Sequence, residues 1–206
     1  MMPFSTFLAA QSARAHLYVF STFCIVCGCG THANEDTPGA GPLICTKVEV
    51  PAMTSSTAPA GEVTRSGVYD SSYEAWQAFD DTPSTLWLSE TWQTPAWIAY
   101  EWADGPKRVE SYVLTFRNGA QLATRAPKEF TLEGWNGSAW TVVDARHEQT
   151  NWVGSERREY AVSNPGSYFK YRLNVSDDND DRDGVVVVSL GRIELIASDC
   201  SSGCGK

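Results

Sequence analysis

Trp76-Gln77-Ala78-Phe79-Asp80-Asp81-Thr82-Pro83-Ser84-Thr85-Leu86-Trp87 is the stretch on which the fold turns. An apolar pair, Ala78 and Phe79, runs into an acidic turn, and a Thr and a Trp follow at fixed offsets. Short polar side chains in such a turn bond their own backbone. The bulky Phe79 and Trp87 on either side are expected to anchor the loop in a core. Eight residues beyond Trp87, Pro95-Ala96-Trp97-Ile98-Ala99-Tyr100-Glu101-Trp102 reads as a strand.

Between Cys45 and Cys200 the pattern is all β. The expected strands are Lys47–Val50, Trp97–Trp102, Val109–Phe116, Phe130–Trp135, Trp140–Ala145, Arg157–Val162, Tyr168–Val175, Val186–Leu190 and Ile193–Ala197. They are short and rich in Val, Tyr, Trp and Phe. Turn signals separate them, among them Asn118-Gly119, Asn136-Gly137 and Asn164-Pro165-Gly166. Such spacing indicates one two-sheet sandwich of jelly-roll type, with a single helical turn around Tyr73–Ala78. Of the 206 residues 42% are hydrophobic and 20% charged, which suits one module with a packed core. Of the eight Trp, we read Trp76, Trp87, Trp97, Trp102, Trp135 and Trp140 as mainly core. Trp92 and Trp152, set among polar loop residues, are read as exposed.

The chain opens with a charge-poor segment and then an apolar run, Leu17 to Val26, too short to span a bilayer. Residues 1–28 read as a signal peptide of an exported protein. Val26-Cys27-Gly28-Cys29 resembles a bacterial lipobox, which makes Cys29 the candidate for lipidation and a surface or outer-membrane anchor; plain secretion is the alternative. Residues 29–44 are small, polar and rich in Pro and Gly, a flexible linker by composition, and residues 45–204 form the domain. The domain carries Cys45, Cys200 and Cys204, too few donors for a zinc site, and several disulfide pairings are open to it.

Six motifs occur in one order: A-F-D-x-x-x-x-T-x-W at residues 78–87, P-x-W-I-x-Y-x-W at 95–102, Pro127 to Gly134, Ala139 to Asp144, Tyr168 to Val175, and Leu190 to Leu195. Together they resemble the discoidin family, the coagulation factor 5/8 type C domains, over about residues 50–197. The resemblance implies a galactose-binding-like β-sandwich that binds and does not catalyse. It implies a disulfide closing the domain ends, Cys45 with Cys200, with Cys204 the alternative partner. It also implies a structural calcium held by the Gln77 carbonyl, the Asp80 carboxylate, the Thr82 position and the Thr85 hydroxyl and carbonyl, completed by a last-strand Glu. Here Arg192 stands where that acid is expected, and its guanidinium is expected to pair with Asp80 in place of the ion. Glu194 lies two residues on, on the same face of a regular strand. The run Asp177–Gly184 imitates an EF-hand loop but ends on Leu190 where a bidentate Glu is needed, so it reads as a solvated acidic turn.

The ligand end implied by the resemblance would carry Trp92, Arg117, Asn118, Arg125 and Trp152, rings to stack on a pyranose and polar groups to bond its hydroxyls. The formal charge of −9 becomes −10 once residues 1–28, which carry one Arg and no acid, are removed. Such a surface disfavours nucleic acid and anionic lipid, leaving the membrane only through the lipid anchor. No nucleophile elbow, H-E-x-x-H or phosphate-cradling loop is present, and no enzyme is read. The expected partner is a glycan; a surface protein, in adhesion or assembly, is the alternative.

Overall fold

The computed structural model describes residues 43–90, 95–181 and 186–202, all within the compact unit Ala40–Lys206. Its strands are β1 (Leu43–Glu49), β2 (Glu62–Arg65), β3 (Trp87–Leu88), β4 (Ala96–Glu101), β5 (Lys107–Phe116), β6 (Pro127–Trp135), β7 (Trp140–Arg146), β8 (Arg157–Ala161), β9 (Ser167–Tyr168), β10 (Lys170–Asp178) and β11 (Ser189–Ser202). They form two sheets. One runs β1-β11-β5-β8, with β3 on β11 and β9 on β5; the other runs β2-β4-β10-β6-β7. Every pairing is antiparallel.

Strand alternation builds the core. Ile98 and Tyr100 of β4, Leu132 of β6 and Leu173 of β10 point inward. They meet Tyr112 and Leu114 of β5 and Ile193 and Leu195 of β11. Each such buried side chain contributes about 1.5–3 kcal/mol. Phe79 and Trp87 are buried as expected, and the Trp87 indole donates to the Gly67 carbonyl at 3.2 Å. The turn at Tyr73–Ala78 is a pair of short 3₁₀ helices, Ser71–Tyr73 and Ala75–Phe79.

The structure adds β2 and β3, which are too short to carry an alternation signal. It also corrects the end of the chain. Val186–Val188 lie outside any strand, and the two expected final strands are one, β11, with an irregularity at Gly191 between Leu190 and Arg192. β1 starts inside the expected linker, at Leu43, because β11 extends far enough to pair with it. That register sets Cys45 directly opposite Cys200.

Tryptophan placement is corrected as well. Trp102 is buried and Trp76 packs against the core. Trp97, Trp135 and Trp140 are half-buried on the outer face of the five-stranded sheet, because their inward neighbours Ile98, Gly134 and the Val143 bulge take the core positions. Gly134 is required where it stands: a Cβ there would lie 2.3 Å from the Tyr168 ring.

Between the sheets sits a polar network. Asp144, 2% exposed, accepts from the Tyr112 hydroxyl at 2.7 Å, from Arg146 at 2.7 and 3.1 Å, and from Ser163 Oγ at 2.5 Å. Burial alone pushes its carboxyl upward; the bonds from Ser163, Arg146 and Tyr112 outweigh that and hold it below the usual carboxylate range. Burial, with Asp144 as partner, drives the Tyr112 hydroxyl far up.

Candidate functional site

The acidic turn closes on itself. Thr82 N–H donates to Asp80 Oδ1 at 2.8 Å. The Thr85 hydroxyl lies 2.8 Å from both Asp80 Oδ2 and the Thr82 carbonyl oxygen. Asp80 is thereby turned into its own loop, whereas Asp81, in the left-handed region at φ 58°, points outward. This overturns the expected pairing of Arg192 with Asp80. Arg192 pairs with Asp81 instead, and both groups are well exposed, so the pair adds little stability.

The same geometry tests the calcium site that the resemblance implies. Gln77 donates its backbone N–H to the Glu74 carbonyl at 3.0 Å, and its Oε1 is buried without a partner. Asp80 is the one carboxylate of the Gln77, Asp80, Thr82 and Thr85 set, and it is already bonded within the loop. The neighbouring acid faces a guanidinium. Glu194 lies 3.4 Å from Arg157 and 3.7 Å from Arg192. No group of three or more His, Cys, Asp or Glu that could hold a metal comes together among the described residues. A hard divalent cation needs several oxygens with net negative charge. Within the implied set Asp80 supplies the single negative charge.

Beside the turn, an open cleft of about 410 Å³ runs between Asp81, Thr82, Pro83, Thr115, Asn118, Ser155, Arg157, Arg192 and Glu194. Gly191 lines it and sits close against the neighbouring backbone, where a Cβ would crowd the Arg117 Cα at 3.3 Å. The cleft's charges are spent on one another: Arg192 on Asp81, Arg157 on Glu194 and Glu159. What remains for a ligand is the uncharged polar residues Thr82, Thr115, Asn118 and Ser155, beside the apolar Pro83 and Phe116. Such groups suit a neutral polyhydroxyl compound.

Three loops are pinned together next to this cleft. Ser155 N–H donates to the Arg117 carbonyl at 3.2 Å. Asn179 Nδ2 donates to the carbonyls of Ala126 and Gln149 at 2.9 and 3.1 Å. The Trp152 indole N–H sits 3.1 Å from the Pro127 carbonyl and 3.0 Å from that of Gln149. The segment 147–156 holds Glu148, Asn151 and Ser155 in the left-handed region. Non-glycine residues are uncommon there and persist only where their surroundings fix them.

Of the sequence-derived ligand residues, Asn118 lines the cleft. Arg117 is half-buried beside it, its Nε without a partner, and Arg125 ends the short 3₁₀ helix Ala120–Arg125 in the same loop. Trp92 lies outside the described residues. Trp152 is not a platform: it is 4% exposed, with the Arg158 guanidinium 3.9 Å from its ring and Phe116 beside it. Its polar neighbours in sequence mislead because the loop folds over it.

Among the described residues, Tyr69 is an exposed aromatic near β3, 57% exposed and edge-on to Tyr73 at 6.3 Å. Its N–H donates to the Leu88 carbonyl at 2.9 Å, which fixes it beside β3. The sequence signal was two tyrosines within a Ser/Asp turn, Val68-Tyr69-Asp70-Ser71-Ser72-Tyr73.

No protein-family model matches the chain, and no curated protein matches it. Solved structures do. The family 32 carbohydrate-binding module of Clostridium perfringens NanJ, solved in complex with galactose, is 13% identical, with a TM-score of 0.55 over 75% of this chain and 100% of its own. Chitosan-binding module 1 from the chitosanase/glucanase of Paenibacillus sp. IK-5 is 19% identical (TM-score 0.52, 66% of this chain and 93% of its own). An F5/8 type C domain from Bacteroides fragilis is 18% identical (TM-score 0.54, 66% and 91%). With its two antiparallel sheets and its closed acidic turn, the chain has the galactose-binding-like β-sandwich fold of discoidin domains and family 32 carbohydrate-binding modules.

Proposed function

We propose that this chain is a non-catalytic carbohydrate-binding module that takes a glycan at the cleft between the acidic turn and the Asn118 and Ser155 loops. The observation that carries the reading is the cleft's chemistry, in which the charged side chains pair with one another and uncharged polar residues line the wall beside the apolar Pro83 and Phe116. Galactose bound to the NanJ module and chitotriose bound to a Paenibacillus chitosan-binding module support a sugar as the ligand class. The test is a glycan array probed with the chain lacking residues 1–28. Binding to a set of terminal sugars is expected, weakened about tenfold or more by Asn118→Ala. An array with no signal, together with no retention on immobilised polysaccharide, would sink the reading.

The module acts outside the cytoplasm in this reading, led there by residues 1–28 and held at a surface through Cys29 and the segment that follows. A Cys45–Cys200 bridge fits that setting, since directly opposed strand residues lie within disulfide reach. In the chain-entropy model so long a loop contributes about 4–5 kcal/mol. Cys45→Ser is therefore expected to lower the urea midpoint under oxidising conditions and to leave it unchanged under reducing ones. Equal midpoints in both conditions would argue against the bridge.

A further inference from the structure

The outer face of the five-stranded sheet has a composition that the loop-end site does not explain. Register puts Trp97 of β4 opposite Asn174 of β10 and Trp135 of β6 opposite Lys170 of β10, all side chains on this face. Trp140 of β7 faces Trp135, ring centroids 5.3 Å apart. The Arg172 guanidinium lies 4.3 Å from the Trp140 ring. None of these rings belongs to the core.

The rings stand at two corners with polar groups between them. Trp97 and Trp135 are offset by two strands across and four residues along, about 17 Å on the diagonal at ordinary sheet spacings. Asn174, Arg172, Glu133 and Thr131 occupy the middle. Asn174 donates to Glu133 at 3.1 Å, while its Oδ1 is buried with no hydrogen-bond partner, a state that costs free energy. A protein interface has the opposite anatomy, an aromatic centre within a polar rim. Ring, hydrogen-bonding strip, ring is the complement of a sugar chain, whose apolar CH faces stack and whose equatorial hydroxyls bond. The separation spans several pyranoses, so a single sugar cannot bridge it.

Charge settles which polymer. Arg172 is held by Glu133 at 2.6 Å and Lys170 by Glu101 at 2.7 Å. These cations are already neutralised, and a chain of net charge −9 repels polyanions. We propose that this sheet face is a second binding surface, taking an extended, uncharged polysaccharide laid diagonally across β4, β10 and β6.

The test is affinity electrophoresis of the chain lacking residues 1–28 in gels containing hydroxyethyl cellulose, arabinoxylan or galactomannan, with carboxymethyl cellulose as the charged control. Retardation is expected in at least one uncharged gel and less in the control. Trp97→Ala and Trp135→Ala should each weaken it about tenfold or more, as removal of a stacking ring does. Trp135→Phe should keep most of it. Both Ala variants should still unfold in urea as a single cooperative transition, which shows that the fold is kept. They should also keep the wild-type glycan-array signal, which separates this face from the loop-end site. No retardation in any uncharged gel overturns the proposal, as do Ala variants retarded like the wild type. Loss of self-association alone in those variants would assign the face to a second copy of the chain and also overturns it.

Discussion

Asp144→Ala is expected to destabilise the domain by about 3–5 kcal/mol, the range seen when one partner of a buried ionic cluster is removed. The carboxylate is the common acceptor for Tyr112, Arg146 and Ser163, drawn from β5, β7 and the segment after β8. Its loss strands a buried phenol and leaves the Arg146 guanidinium, 5.0 Å from the Tyr160 ring, with only its bond to the Ala161 carbonyl. For a domain of this size that corresponds to a fall in melting temperature of about 10 °C. The pH dependence carries the sign of a depressed acid. Stabilisation from Asp144 is complete above the ordinary value of 3.8 and is lost as pH falls below it, through the folded-state value. Urea midpoints measured from pH 6 to pH 2 should fall more steeply for the wild type than for Asp144→Ala. Parallel curves would show that the carboxylate is not held ionised by its partners.

Trp152→Ala is the second large effect, about 3–5 kcal/mol for deleting a buried indole. Beyond the cavity, the variant loses the bonds that tie segment 147–156 to Pro127 and strips Arg158 of the ring beneath it. Glycan binding should fall too, because Asn118 and Ser155 sit on the loops this indole holds in register. Trp152→Phe discriminates between scaffold and platform. It refills most of the volume, so binding should recover largely while stability recovers in part. If Trp152→Ala abolished binding at unchanged stability, the ring would be touching ligand and its burial would be irrelevant.

What the chain disclosed in advance follows from what is local. The Asp80 turn was legible because Thr82 and Thr85 bond it at short range, and the turn residues divided the strands where Asn-Gly pairs stand. Faces were harder to read. Trp97-Ile98-Ala99-Tyr100 is apolar throughout, so alternation gives the parity of the side chains but not which parity looks inward. Trp152 looked exposed because burial there is conferred by Pro127, Gln149 and Arg158, remote or unremarkable in sequence. Arg192 met Asp81 and not Asp80 because one left-handed residue, invisible in composition, swings the second carboxylate outward.

The pairing of Leu43 with Ser202 has a mechanical consequence. The chain enters and leaves the sandwich on adjacent antiparallel strands, so tension drawn between its two ends peels β1 from β11. Their hydrogen bonds then break one pair at a time instead of being sheared together. Two residues in from those ends, Cys45 and Cys200 face each other. A bridge there would halt the peeling after its first steps and pass the force to a covalent bond, leaving the rest of the sandwich unloaded.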